Sequence, residues 1–573
     1  MPCSPAPLAP CRLLLLLLLL PALRLAPAPI PAASRQGRTL ILLDVNGKSP
    51  ARVTSERFLS LQLDPSIVHD GWLDFLSSRR LVTLARGLAP AFLRFAGKRT
   101  DFLHFQNLKN PAKSRGPGPG PDYYLKNYED DIVRSDIALD KQKGCKIAQH
   151  PDTMLELQRE KAAQMHLVLL KEQFSNTYSN LTLTARSLDK LYNFADCSGL
   201  HLIFALNALR RNANNSWNSS NALSLIKYSA SKKYNISWEL GNEPNNYRML
   251  MGRTLNGTQL GKDYVQLKEL LQLIRMYARA SLYGPNIGRP RKNVVALLDG
   301  FMKVAGSAVD AVTWQHYYID GRVAKVTDFL KTRLLDTLSD QIRKIQKVVN
   351  SYTPGKKIWL EGVGAASAGA SSNLSDSFAA GFLWLNTLGM LASRGIDVVM
   401  RHSFFDHGHN HLVDQNFNPL PDYWLSLLYK RLIGPKVLAV HVAGLQRKPR
   451  PGKVIRDKLR IYAHCTSYHN HNYIRGSITL YIINLHRSRK KIKLVGTLRD
   501  RLVHQYILQP HGKEGLHARS VELNGQLLVM ADDESLPDLK PRPLRPGRTL
   551  VIPPLTMSFY VVKNVNAPAC RYR

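Results

Sequence analysis

The chain has 573 residues, 44% hydrophobic and 21% charged, a globular composition that excludes a collagen-like or wholly disordered protein. Lys and Arg number 79 against 42 Asp and Glu, giving a formal net charge of +37 and an isoelectric point of about 10.0. So large a surplus is unusual for an enzyme of small neutral metabolites and points to a polyanion: nucleic acid, anionic membrane or acidic polysaccharide.

Residues 1–33 narrow that choice. Arg12 precedes an unbroken run of leucines from Leu13 to Leu20, then Pro21 and small residues ending at Pro31-Ala32-Ala33. A positive start, a short apolar core and a small-residue exit make a secretory signal. Eight leucines span only ~12 Å of helix against ~30 Å of hydrocarbon, so a transmembrane segment is not expected. The later apolar run, 378–392, contains Asn386 and reads as a buried helix.

Asn-x-Ser/Thr sequons occur at Asn180, Asn214, Asn218, Asn235, Asn256 and Asn373 and suggest a glycosylated face. Cys3 and Cys11 leave with the signal; Cys465 and Cys570, both C-terminal, are expected to form a disulfide, and Cys197 reads as a buried thiol. No CxxC or other zinc spacing exists, and no cofactor is implied. For a secreted chain, nucleic acid is set aside and a glycosaminoglycan is favoured.

A segment at 38–46 precedes the main pattern and is assigned to a C-terminal β-sandwich. From 56 to 433, short β-branched or apolar runs alternate with amphipathic stretches: 58–63, 91–95, 201–206, 236–240, 281–283, 311–314, 358–360 and 398–400. Eight such alternations predict an α/β fold, a (β/α)8 TIM barrel, whose functional site lies at the C-terminal strand ends. A Pro/Gly stretch at 110–121 and a charged stretch to 150 interrupt it as a linker-like insertion. From 435 to 573 helical periodicity is lost, and runs such as 477–485 and 557–562 predict the antiparallel β-sandwich.

Trp238-Glu239-Leu240-Gly241-Asn242-Glu243-Pro244 closes the fourth predicted strand. An Asn-Glu pair there suits a retaining glycosidase: the acid protonates the glycosidic oxygen and the amide bonds the sugar 2-position. Such an enzyme needs a second carboxylate about 5–5.5 Å away, from the end of strand seven. That strand reads Lys357-Ile358-Trp359-Leu360-Glu361-Gly362-Val363.

Those motifs, with Leu84 to Phe95, Cys197 to Phe204, Ala379-Ala380-Gly381-Phe382 and the stretches from His411 and Leu420, resemble the heparanase family, glycoside hydrolase family 79. The resemblance implies a barrel with a C-terminal sandwich and retaining endo-β-glucuronidase chemistry on heparan sulfate. It makes Glu243 the proton donor. It makes Gly362 the position of the nucleophile, because active members read Trp-Leu-Gly-Glu where this chain reads Trp359-Leu360-Glu361-Gly362. Side chains alternate along a strand, so if Gly362 faces the barrel mouth, Glu361 is expected to face the surrounding helices unless a bulge restores it. The cleft also departs at Gln315 in Trp314-Gln315-His316-Tyr317, and at His402 after Met400-Arg401. Asn242, Gln315, His316, Tyr317 and His402 are the expected cleft residues.

Basic residues concentrate late. From Lys436 onward, 25 Lys and Arg face 8 Asp and Glu. Candidate glycan-binding groups are Arg447, Lys448 and Arg450; Arg487, Arg489, Lys490 and Lys491; and, after strand five, Arg289, Arg291 and Lys292, with Arg210-Arg211 a further pair. His407, His409 and His411 are spaced by two, as are His469 and His471, with His464 nearby, but no carboxylate or Cys completes a metal site, so metal is not expected.

The reading is a secreted, heparan sulfate- and heparin-binding pseudoenzyme. It is held to matrix and cell surface through heparan sulfate proteoglycans and competes with active heparanase, itself a candidate partner. One alternative is an active endo-β-glucuronidase using Glu243 and a displaced Glu361. Another is an extracellular matrix structural or receptor-binding protein.

Overall fold

The computed structural model describes residues 40–573, except 69–71, 108–136, 141–144, 149–159, 161–162, 164–166, 173, 368–371, 406–409, 445–457 and 573. The predicted signal segment and the group Arg447, Lys448 and Arg450 thus lie outside the described residues, as do His407 and His409.

The eight predicted strands close one parallel barrel: β1 (Leu59–Leu63), β2 (Ala91–Phe95), β3 (Leu200–Leu206), β4 (Ile236–Leu240), β5 (Leu282–Ile287), β6 (Ala311–Asp320), β7 (Lys357–Ser367) and β8 (Val398–His402). They pair in chain order, and β8 closes onto β1. The strands read as near-continuous apolar runs because both faces are covered: helices outside, lumen inside. One lumen layer is apolar, with Phe92, Ile203, Tyr283, Ala311, Trp359, Val398 and Met400 packed together. The side chains two residues further along several strands make a polar layer above it.

The run at 378–392 forms a helix, Ala380–Ser393, buried from Ala380 to Ala392. One side serves the barrel. On the other, Gly381 and Gly389 leave room for Met557 and Tyr462, into which a Cβ at either position would run. Asn386 Oδ1 accepts there from Arg460 Nη1 at 3.1 Å and Tyr462 Oη at 3.2 Å.

Those partners belong to two further sheets. The strand Leu40–Val45 pairs antiparallel with Val440–Gly444 and parallel with Lys490–Leu494 in a four-stranded sheet. In the larger sheet, Ile478–Asn484 lies between Leu459–Thr466 and Thr556–Val562. Leu43, Ile492 and Leu550 from the first sheet share one core with Leu480, Ile482 and Tyr560 from the second. Tyr481 and Phe559 point the other way, into the barrel's core. A strand buried on both faces loses the polar–apolar alternation of a solvated sheet, which is why Ile478–Asn484 is buried at every position.

Cys465 and Cys570 form a disulfide, Cα atoms 5.3 Å apart. Cys197 corrects the expectation of a free thiol: it is bonded to Cys145, again at a Cα separation of 5.3 Å. The cause is a hairpin, Ile137–Asp140 with Cys145–Ala148, that packs on the helix Ala185–Cys197. Nothing in the charged stretch around Cys145 announces that packing.

Candidate functional site

Gly241 takes a left-handed φ of +77°, and Glu243 follows at φ +45°. This turn lifts Glu243 out of β4 to the barrel mouth. Buried Asp101 holds the turn, accepting from the backbone N–H of Ala208 at 2.8 Å and of Asn242 at 3.1 Å. Burial drives Asp101 up to about 7 against those hydrogen bonds. The partly exposed Glu243 carboxyl is held above the ordinary carboxylate range by desolvation, with Lys98 and Arg94 opposing. A raised carboxyl pKa is what a proton donor needs. Beside it, Asn245 Oδ1 accepts from the Gly288 N–H at 2.8 Å, pinning the end of β5 to this turn. Arg289, Arg291 and Lys292 follow directly, all exposed.

The end of β7 is built differently. Trp314 pairs with Leu360 and His316 with Val363, so two residues of β7 oppose the single Gln315. The same extra residue appears against β8, where Glu361 faces Met400 and Val363 faces Arg401. This is a β-bulge, and Gly362 adopts φ +103°, a conformation L side chains rarely enter. Gln315 occupies the adjoining space: a Cβ on Gly362 would lie 3.2 Å from its side chain. Gln315 Nε2 is committed to Asn242 Oδ1 at 2.8 Å and to Asn286 Oδ1.

The bulge corrects the expectation for Glu361. Its side chain does not face the helices; it enters the lumen, fully buried, beside Arg94 and Glu239. Arg94 Nε donates to Glu239 Oε2 at 2.8 Å and lies 3.5 Å from Glu361 Oε2. Arg94 also donates to Gln62 Oε1 at 3.3 Å and Asn242 Oδ1 at 3.2 Å. Desolvation, then the charge of Glu239, pushes the Glu361 carboxyl well above the ordinary range despite Arg94. One guanidinium cannot neutralise two buried carboxylates, and this favours the protonated form of Glu361. A carboxyl with no exposed surface, biased toward its protonated form, is not placed to attack a sugar in the cleft.

Of the expected cleft residues, Asn242 and Gln315 come together in this network. Tyr317 and His402 face each other with ring centroids 6.0 Å apart, and His402 Nδ1 lies 3.1 Å from Gln62 Nε2. His316 does not join them. Its buried ring meets Gln341, on the helix Thr332–Tyr352, through Nδ1 at 2.9 Å, and burial depresses its pKa to about 3. Ordinary alternation along β6 keeps His316 on the outer face with Trp314, which bonds the same Gln341. Arg94, Glu239, Asp101 and Asn286 were missed by sequence reasoning. The signal for the first two was a charge inside an otherwise apolar barrel strand.

Among the basic groups, Arg487 and Arg489 are exposed and Lys490 and Lys491 half-buried. Arg211 is instead structural, in a buried ion pair with Asp263 at 2.6 Å, while Arg210 bonds His104. Asn180, Asn214, Asn235 and Asn256 are exposed; Asn218 is half-buried. Asn256 also caps the helix Gly257–Leu273 through its Oδ1, and the Asn373 side chain is outside the description. Among the described residues, no group of three His, Cys, Asp or Glu could hold a metal ion, and no helix is long and apolar enough to cross a membrane.

Residues 152–389 match the profile "Glycosyl hydrolase family 79, N-terminal domain". The chain is 86% identical to "Inactive heparanase-2" of Homo sapiens, covering 95% of this chain and 91% of that protein. It is 44% identical to "Heparanase" of Mus musculus, over 94% and 96%. Among solved structures, a 4-O-alpha-L-rhamnosyl-beta-D-glucuronidase from Fusarium oxysporum superposes with a TM-score of 0.59 at 12% identity, covering 91% of this chain and all of that one. An arabinofuranosidase from Thermotoga maritima gives 0.56 at 12%, over 92% and 100%. Those two speak for the barrel-and-sheet fold alone, whereas the full-length identities establish kinship: the chain belongs to the heparanase family, glycoside hydrolase family 79.

Proposed function

We propose that this protein is a secreted pseudoenzyme that binds heparan sulfate without cleaving it and competes for that glycan with active heparanases. The observation that carries the reading is the exchange at the end of β7. Where the family places its nucleophile stands a bulged glycine, and the transposed Glu361 is sequestered beneath the cleft. The 86% identity to a relative named inactive supports the same conclusion.

Arg289, Arg291 and Lys292 are exposed at the rim beside Glu243, suited to sulfate and carboxylate groups of a chain crossing the mouth. Arg487 and Arg489 offer a second basic stretch on the sheets. Held at the cell surface and in matrix by these contacts, the protein withdraws substrate from an active enzyme.

The test incubates purified protein with heparan sulfate and measures new reducing ends. None should appear; turnover abolished by Glu243→Ala would overturn the reading. Azide should not rescue cleavage, because Gln315 already fills the space beside Gly362. On immobilised heparin, elution should need salt well above physiological strength. Neutralising Arg289, Arg291 and Lys292 together should lower the salt slope by roughly two to three, taking the nucleic-acid counterion relation as a guide. In a mixture with active heparanase, inhibition should fade as heparan sulfate is raised.

A further inference from the structure

At the opposite end of the barrel from the cleft, the structure contains a cavity of about 290 Å3. It opens below the N-terminal ends of β1 and β2, where these meet the end of the helix Pro421–Leu432 and the loop after the strand Leu459–Thr466. Its lining carries Arg86, Lys430, Arg431 and His469 against a single acid, Glu56.

Lys430 is the unusual member. Its ammonium reaches the Pro90 carbonyl at 2.5 Å. Among the described residues it has no carboxylate partner, and the charge that acts on it is another cation, Arg57. Burial first, and Arg57 second, bring its pKa down to about 7. A desolvated lysine is ordinarily paired; here it borders an open space instead of a carboxylate. Ser55 and Ser467 add hydroxyls to the wall. The volume is at the lower limit of ligand pockets, enough for one sugar unit or a polyatomic anion but not for a length of polysaccharide.

We propose that this basal cavity is a second ligand site, which takes one sulfate- or carboxylate-bearing unit between Lys430 and Arg431. The unit comes either from a saccharide chain end or from a free small anion. The site is separate from the cleft and stands whether or not the cleft binds glycan.

The experiment follows thermal unfolding and calorimetric binding of the full secreted chain with three probes: inorganic sulfate, glucuronate and a sulfated disaccharide. At least one should bind saturably and raise the melting temperature. Lys430→Met, which keeps the apolar stem, and Arg431→Gln should each weaken that binding at least about tenfold. A variant with Arg289, Arg291 and Lys292 neutralised should keep it. Comparable binding of sulfate and disaccharide assigns a free-ion site; binding of the disaccharide alone assigns a chain-end site. Absence of saturable binding by all three probes overturns the proposal. So does binding that survives both Lys430→Met and Arg431→Gln. Arg431 is exposed, so its variant keeps the test informative should Lys430→Met fail to fold.

Discussion

The ends of β4 and β7 face the same barrel mouth and are built in opposite ways. At β4, a left-handed turn still carries Glu243 to the rim, with its carboxyl tuned toward the protonated form. At β7, the bulged Gly362 presents no side chain at the mouth, and the neighbouring Glu361 carboxyl lies in the lumen. On the proposed reading, the acid half of a retaining pair stands at the mouth, while the carboxyl next to the nucleophile position is part of the core. A scaffold tolerates this because the two halves rest on different supports. Glu243 stands on Asp101 and the β5 loop, whereas Glu361 stands on Arg94.

The largest effect expected on that comparison is from Arg94→Met. It strips the cation from Glu239 and Glu361, leaving two carboxyls buried without a counter-charge. Losing one partner of a buried ionic cluster costs about 3–5 kcal/mol, to be measured by denaturant unfolding. Adding Glu239→Gln and Glu361→Gln to Arg94→Met should recover part of the loss. No recovery would mean that the guanidinium matters for packing rather than charge.

How much of this was legible without coordinates differs between the same two strand ends. The eight barrel strands declared themselves as apolar runs between amphipathic stretches. Glu243 was marked by the Asn-Glu-Pro turn, because glycine and proline punctuate local backbone visibly. The orientation of Glu361 was not legible by counting back from Gly362, since one extra residue in the pairing of β7 with β6 and β8 breaks the alternation between them. Strand alternation predicts the wrong face once register slips by one. His316 is a different case, since alternation along β6 already puts it on the outer face with Trp314. The Cys145–Cys197 bond was hidden for another reason: a contact across 52 residues of chain leaves no local pattern.

Restoring a side chain at the bulge should come next in magnitude. Gly362→Ala forces a Cβ into φ +103° and to within 3.2 Å of Gln315. Strain of that kind costs about 1–3 kcal/mol, read as a lower unfolding midpoint at unchanged m-value. Gly362→Glu should be at least as destabilising and should release no reducing ends from heparan sulfate. Gln315→Gly added to Gly362→Glu should relieve part of the loss in stability by emptying the neighbouring space. If Gly362→Glu alone were stable and active, the bulge would have to be pliable, and the contrast between the two strand ends would collapse to one missing side chain.

Glu361→Gln is expected to change stability less, but to change its dependence on pH. The folded-state pKa of Glu361 lies above the ordinary value of 4.5, so the folded chain keeps a proton that the unfolded chain releases. The stabilisation linked to this proton is complete below about pH 4.5 and is lost as pH rises through the folded pKa. Glutamine is neutral at every pH and can still donate toward Glu239. The variant should therefore match the wild type at low pH, and pull ahead of it as pH rises. Asp101, raised to about 7 by burial, contributes a slope of the same sign that remains in the variant. Unfolding free energies from pH 5 to 8 should thus give a shallower fall for Glu361→Gln rather than a flat line.

Glu243→Gln should have the smallest effect, within about 0.5 kcal/mol, as for most substitutions at partly exposed positions. Its carboxyl feels Arg94 only as a through-space charge, and the turn beneath it is fixed by backbone N–H groups bonded to Asp101. Heparin retention should also stay near that of the wild type, since Arg289, Arg291 and Lys292 are untouched; removing a negative charge from the rim can only strengthen attraction for a polyanion. The pairing of Glu243→Gln with Glu361→Gln is then the most direct measure of how far the two carboxyls have parted. In a working retaining pair, each would abolish turnover and their pKa values would be coupled across the cleft. Here the two substitutions should be additive in stability, with a coupling energy of no more than about 0.3–0.5 kcal/mol. A larger coupling would show that Glu361 still senses the cleft acid, and that the nucleophile half had not been fully absorbed into the core.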